Sequence, residues 1–279
     1  KAHACGGAAL AQTVSAGVEW ALHDGGHLGR WDMKHNALAR LFSGAADLIW
    51  PPRSLLSDTP VDHPGRVAAA EFAQLPFLGE PLCFRCGFPL PAYVGPEAVC
   101  GACATQAPDY DRARAALAYG DATRMLVLQM KRGGRRDGLP VFGGWMAQAG
   151  AALIADSDVI VPVPLHWRRL ATRTFNQAAW LAQAVQVRCG LPLAYEALMR
   201  RKPGGQASLT ASERKRQVQG AFRLRRKGWA QGRRVLLIDD VMTTGATVEA
   251  CARVLKRDGA AQVHVLALAR VVDPVDVSI

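Results

Sequence analysis

No stretch of this 279-residue chain approaches the ~18 to 20 consecutive apolar residues that span a bilayer. The opening KAHACGGAALAQTVSAGVEW holds one Lys but no sustained apolar core, so it makes a poor secretory signal, and a cytoplasmic location is expected. Two nucleotide signatures are also missing. There is no GxxxxGK[ST], which excludes a P-loop, and no GxGxxG between strand and helix, which excludes the dinucleotide fingerprint. Internal repeats and low-complexity tracts are absent. Acids are scarce in one place above all. From Met199 to Arg234 twelve Lys or Arg face Glu213 alone, an excess of 12 − 1 = +11. The whole chain carries +11, so the remainder is close to neutral. Basic charge gathered in one segment calls for a polyanionic partner, a phosphorylated metabolite or a nucleic acid, although such runs also occur as plain solvated loops.

Half of the residues are apolar, enough for a substantial core in one or two domains. Of seven cysteines, Cys5, Cys189 and Cys251 are isolated and four are clustered, which suits one metal site in a reducing compartment better than a disulfide framework. Cys83-x-x-Cys86-Gly87 and Cys100-x-x-Cys103 form two knuckles, each aiming two sulfurs to one side, with Gly87 allowing the tight turn. Together they complete a tetrahedral shell for Zn2+; a redox pair or free thiols is the alternative. Four sulfurs leave no open position, so the role expected is structural. His23 and His27 lack a surrounding Cys or acidic cluster and read as linker.

Residues 1–35 are expected to lie outside the fold, Met33 opening a natural-looking start, MKHNALARLF. Residues 36–108 are expected to hold a helix, NALARLFSGAADLIW, stopped at Pro51, then an irregular linker to about residue 80 and the cysteine cluster. From residue 109 to 279 strand and helix patterns alternate. Strands are expected in ARAALAYG, DVIVPVPL, RVLLIDDV and VHVLALAR, and helices in ATRMLVLQMKR, GLPVFGGWMAQAGAALIA, NQAAWLAQAVQVRCG and GATVEACARVLKRDG. That alternation makes the fold α/β, with a mainly parallel sheet flanked by helices. Trp145 and Trp180 fall on apolar helical faces and are expected in the core.

The segment RRVLLIDDVMTTGAT carries the chemistry. VLLI is a buried strand, so Asp239 and Asp240 sit at its C-terminal end, where ligands of open α/β sheets bind. The following helix starts near Gly245, and its unpaired N–H groups make an anion site. Val241, Met242, Thr243, Thr244, Gly245, Ala246 and Thr247 form the connecting loop, with hydroxyl donors and a glycine that lets the backbone close around a phosphate. Two carboxylates beside it accept hydrogen bonds from vicinal hydroxyls. A phosphate next to a diol describes a ribose 5-phosphate.

VLLIDDVMTTGAT resembles the phosphoribosyl-pyrophosphate motif of type I phosphoribosyltransferases. The order of four cysteines, KRGG, VPVPL, RTFNQA, QASLTASERKRQVQGAF and then this motif resembles the ComF family over about residues 45–270. These are bacterial proteins associated with competence for DNA uptake, in which a zinc ribbon precedes a phosphoribosyltransferase-like domain. The resemblance implies that Asp239 and Asp240 meet the ribose hydroxyls and that Thr243 to Thr247 hold the 5-phosphate. It also implies that residues 161–165 lie nearest pyrophosphate, that Arg200 to Arg216 form a closing loop, and that Lys131 and Arg173 contact pyrophosphate. Mg2+ is implied alongside phosphoribosyl pyrophosphate. Two departures stand out. Ser54 and Ser57 occupy places where the family commonly has zinc-binding cysteines, so one zinc is expected, not two. Thr174 and Gln217 replace the Gly and Asn common in the family, which changes loop detail.

Two functions follow. One is a phosphoribosyltransferase of unread acceptor. The other is a non-catalytic accessory factor in DNA uptake that binds phosphoribosyl pyrophosphate, single-stranded DNA or the competence machinery and uses the fold as a scaffold; Phe222 and Trp229, interleaved with Arg223, Arg225, Arg226 and Lys227, serve either reading. Phe222 also reads as core, as do Cys189 and Cys251.

Overall fold

A computed structural model of the chain describes residues 51–133, 136–165, 175–201 and 220–272, with the side chains of 131–133 excepted. The expected extension 1–35, the helix at 36–50 and most of the basic segment lie outside them.

Four strands form one sheet: β1 (Arg112–Ala118), β2 (Val159–Pro162), β5 (Arg234–Met242) and β6 (Gln262–Arg270). Their order is β1-β6-β5-β2 and all three pairings are parallel. Near-continuous apolar runs in β2, β5 and most of β6 explain this, since a strand covered on both faces leaves few positions for a polar residue. Val235 and Leu237 point into one core with Val263 and Val265, while Leu236 and Ile238 point into the other with Leu266 and Leu268. The first core is closed by α7 (Ala246–Arg257) and by a small antiparallel pair, β3 (Leu198–Arg200) with β4 (Phe222–Leu224). The second is closed by α3 (Asp121–Gly133), α4 (Leu139–Ala149), α5 (Ala151–Ala155) and α6 (Gln177–Cys189). Two short helices, α1 (Ala69–Phe72) and α2 (Gly101–Thr105), precede β1 or flank the cysteines.

Several expectations need correction. The helix expected over 138–155 is two, broken at Gly150, where a β-carbon would stand 2.7 Å from the Leu266 methyls; the bend lets the chain lie close on β6. Residues 51–80 are no mere linker. Ser54, Leu55 and Leu75 are buried, and Phe77 bridges to Leu117 of β1. Trp145 is half-buried at the rim, in an aromatic cluster with Phe72, Phe77 and Phe142, of which Phe72 and Phe77 are exposed. Trp180 is likewise half-buried, stacked between Phe175 and the Arg136 guanidinium. Cys251 is core as expected, whereas Cys189 is half-buried. No helix among the described residues is long and apolar enough to cross a membrane.

His264, on β6, is 1 % exposed, and neither ring nitrogen has a hydrogen-bond partner among the described residues. Burial holds its imidazole below the usual pKa, with Arg112 and Lys256 acting the same way and Asp111 and Asp156 opposing. The unfolded imidazole therefore binds a proton more readily than the folded one, and stability is lost as pH falls through the unfolded value near ~6.5. Denaturant titrations of wild type and His264→Leu at pH 7.5 and 5.5 are expected to show a smaller loss at the lower pH in the variant.

Candidate functional site

β5 delivers its last residues to the carboxyl edge of the sheet. Its burial is complete through Ile238 and only partial at Asp239 and Asp240, so the two carboxylates mark where the strand reaches solvent. Strand alternation sends Asp239 toward the face of Leu237 and Asp240 toward the face of Ile238, so the pair straddles the sheet edge. Each carboxylate is oriented by the next backbone amide: the Asp240 N–H donates to Asp239 Oδ1 at 2.9 Å, and the Val241 N–H donates to Asp240 Oδ1 at 2.7 Å. Asp239 also acts on the buried Cys251 of α7. Burial pushes that thiol far up, Asp239 pushes it further and Arg200 of β3 pulls it back.

After Met242 the chain turns through half-buried Thr243 and exposed Thr244 into α7. Gly245 is the N-cap, at φ +78°, and having no side chain it offers no cap. The Ala246 N–H reaches Thr244 Oγ1 at 3.4 Å. The first-turn amides of this 12-residue helix thus open onto the loop, with the positive end of the helix dipole behind them. Ala246 is buried and Thr247 half-buried. Space does not force glycine at 245, for a β-carbon would lie 3.4 Å from Met242 Cε; the left-handed backbone does. Gly245→Ala is expected to cost about 1–2 kcal/mol, and Gly245→Asn less, as thermal melting of the two variants will show.

The neighbouring strand closes the other side. The Val163 N–H donates to the Ile238 carbonyl at 2.9 Å, and Asn176 Nδ2 donates to the Val163 carbonyl at 3.1 Å while its Oδ1 caps α6. Residues 163–165 and 175–177 are thereby fixed beside the end of β5. Arg200 ends β3 with its guanidinium 5.2 Å from the Phe222 ring centroid, and Arg201 is exposed; β3 and β4 form the neck from which residues 202–219 depart. Sequence periodicity missed this hairpin. Lys131 falls within α3 with its side chain undescribed, and Arg173, Thr174, Lys202 and Gln217 lie outside the described residues.

The four cysteine sulfurs lie within 4.8 Å of one another, and Cys86 Sγ is 3.7 Å from Cys100 Sγ. Tetrahedral Zn2+ with Zn–S of ~2.3 Å requires an S–S spacing of ~3.8 Å, so the residues fit the ion. Burial opposes ionisation of Cys83, but the backbone N–H groups of Cys86 and Cys100 win and bring it down to about 7. Burial raises Cys86 despite Arg270, and burial with the neighbouring Cys86 raises Cys103. A metal ion held here would supply the charge that favours the remaining thiolates. Gly87, at φ +67°, has the Ala113 carbonyl 2.6 Å from where a β-carbon would be. Arg114 Nη1 donates to the carbonyls of Cys83 and Phe84, and Arg270 Nη1 donates to that of Cys86, tying the first knuckle to β1 and β6. Ser54 is no such ligand. Its hydroxyl donates to Glu71 and accepts N–H groups from Leu56 and Ala68, and Ser57 Oγ donates to Thr59 Oγ1 at 2.8 Å.

Residues 155–274 match the phosphoribosyl transferase domain family. Among similar proteins, the DNA utilization protein YhgH of Salmonella typhimurium is 33% identical over 195 residues, covering 68% of this chain and 84% of the relative. YhgH of Escherichia coli K12 is 34% identical over 196 residues with the same coverage. Competence protein F of Haemophilus influenzae is 29% identical over 205 residues, covering 68% of this chain and 85% of the relative. The sheet is thus that of a type I phosphoribosyltransferase with a cysteine cluster compatible with structural zinc, and the chain belongs to the ComF family.

Proposed function

We propose that the protein binds phosphoribosyl pyrophosphate at the carboxyl edge of β5 and transfers its phosphoribosyl group to an acceptor. The observation that carries this is the succession of two half-buried carboxylates and a helix start whose N-cap, Gly245, has no side chain of its own. The 5-phosphate sits on the amides of Thr243 to Thr247, with the hydroxyls of Thr243 and Thr244 as further donors. The ribose lies across the strand end, where Asp239 and Asp240 accept from its 2- and 3-hydroxyls and orient the sugar without acting as acid or base. Pyrophosphate points toward residues 161–165, and Lys131, Arg173, Arg201 and Lys202 are assigned to the diphosphate, where cationic groups stabilise the departing charge. Mg2+ bound with the diphosphate would neutralise the leaving group. A cytoplasmic location fits clustered thiols kept for a metal.

Calorimetric titration of the protein with phosphoribosyl pyrophosphate and Mg2+ is expected to give saturable binding of one ligand per chain. No binding at millimolar ligand would end this reading. The non-catalytic alternative is separated by assaying pyrophosphate release with purine, pyrimidine and amine acceptors.

A further inference from the structure

We infer, resting on the phosphoribosyl pyrophosphate site proposed for the end of β5, that Arg270 is a positioning residue. It ties the phosphate loop to the four cysteines, so that an ion held by the cysteines strengthens ligand binding although no cysteine belongs to the loop. Arg270 closes β6, the strand beside β5. It is buried, and the described partners of its guanidinium both lie in the first knuckle. Nη1 donates to the Cys86 carbonyl, and the group stands 5.3 Å from the Phe88 ring centroid. Nε has no hydrogen-bond partner among the described residues. The knuckle is fixed by its own backbone: the Cys83 N–H donates to the Phe88 carbonyl at 2.7 Å, and the Gly87 N–H to the Cys83 carbonyl at 2.9 Å. A buried cation that leans on one turn of chain keeps its place only while that turn keeps its own.

The backbone of the same residue reaches the phosphate loop. The Arg270 carbonyl accepts the Tyr119 N–H at 2.7 Å, and the next amide, that of Val271, donates to the Met242 carbonyl at 3.0 Å. Met242 and Arg270 are partners in the β5–β6 register, and Met242 is the residue from which the loop departs. Its side chain is buried, with Cε 3.4 Å from where a β-carbon on Gly245 would stand. The Met242 methyl therefore backs the N-cap of α7, while its carbonyl is held by the end of β6. A second route runs through packing. Cys83, Cys86 and Cys103 share the first core with Met242 and with Ala246 and Val248 of the first turn of α7.

Amides that receive a phosphate must be held to within about 0.5 Å, so a small displacement of Met242 is felt in affinity. A metal-free knuckle is free to move its Cys86 carbonyl, and the end of β6 moves with it. Arg114 provides the comparison. Its Nη1 also binds the first knuckle, at the Cys83 and Phe84 carbonyls, but it pairs with Leu266 in the middle of β6, away from Met242. Both arginines steady the metal site, and Arg270 alone of the two stands beside the loop.

The test uses the full chain with its zinc content fixed by metal analysis. At full occupancy Arg270→Met, which keeps the apolar stem and removes the guanidinium, is expected to weaken phosphoribosyl pyrophosphate binding roughly five- to 150-fold in calorimetric titration with Mg2+. Without ligand it is expected to speed hydrogen exchange of the amides at 243–248. Arg114→Met is expected to release zinc more readily and, at full occupancy, to bind the ligand as wild type does. Coupling is reciprocal, so saturating ligand is expected to slow the wild-type chain's loss of zinc to a chromophoric chelator, and Asp239→Asn/Asp240→Asn to abolish that protection. Should Arg270→Met not fold, this wild-type measurement decides alone. Unchanged affinity in zinc-loaded Arg270→Met, an equal loss in Arg114→Met, or zinc transfer indifferent to ligand would each overturn the inference. A wild-type chain that binds no ligand ends the ligand reading instead; faster loop exchange in Arg270→Met then still supports the link, and unchanged exchange overturns it.

Discussion

Replacing Asp239 and Asp240 together by Asn is expected to weaken phosphoribosyl pyrophosphate binding by on the order of 100-fold or more while leaving the melting temperature no lower than that of wild type. A hydrogen bond from a sugar hydroxyl to a carboxylate contributes about 1.5–3 kcal/mol, and the substitution exchanges two of these for weaker neutral ones. Fold stability moves differently. Asn keeps the side-chain oxygen that receives the amide of the following residue, as Oδ1 of Asp239 and of Asp240 does in the native chain. It also removes the repulsion between neighbouring carboxylates. Falling affinity without falling stability is the signature of ligand contact, and calorimetric titration alongside differential scanning calorimetry reads both. Undiminished affinity in the double variant would mean that the diol is held elsewhere.

The sites left their traces in sequence unequally, and the reason is local. β5 and its loop were legible because an apolar run ending in two acids changes character within one residue, and burial changes with it between Ile238 and Asp239. The cysteine knuckles were legible because their spacing is set by metal geometry alone. The β3–β4 hairpin was hidden, for three-residue strands leave no periodicity and both lie beside a dense charge run. The segment 51–80 looked like linker because prolines and polar residues dominate it, yet Ser54 and Glu71 satisfy one another and let Leu55 and Leu75 reach the second core. Trp145 and Trp180 mislead because an apolar helical face extends to the rim, where flat aromatic and guanidinium groups cover it in place of other helices.

Cys103→Ser is expected to remove the zinc and to destabilise the protein by more than about 3 kcal/mol, beyond the usual range for one substitution. Serine leaves three sulfurs around the ion and a hydroxyl that does not replace a thiolate. The loss does not stay in the ribbon. Cys83, Cys86 and Cys103 belong to the same core as Val161, Leu237 and Leu255, so loosening the knuckles uncovers one face of the parallel sheet. Arg270, buried at 6 % exposure, joins the Cys86 carbonyl to the end of β6, and the backbone beyond it pairs with the Met242 carbonyl at the start of the loop from Thr243 to Thr247. A shift of roughly 10 °C in Tm follows for a domain of this size. Cys251→Ser is the control, since Cys251 is as buried as Cys83 but outside the cluster. It is expected to keep its metal and lose less stability. Metal analysis should give one zinc per wild-type chain, not two, because Ser54 and Ser57 are already satisfied by Glu71, Thr59 and backbone amides. A Cys103→Ser protein that retains full zinc and melts as wild type does would show that the four thiols hold no structural ion.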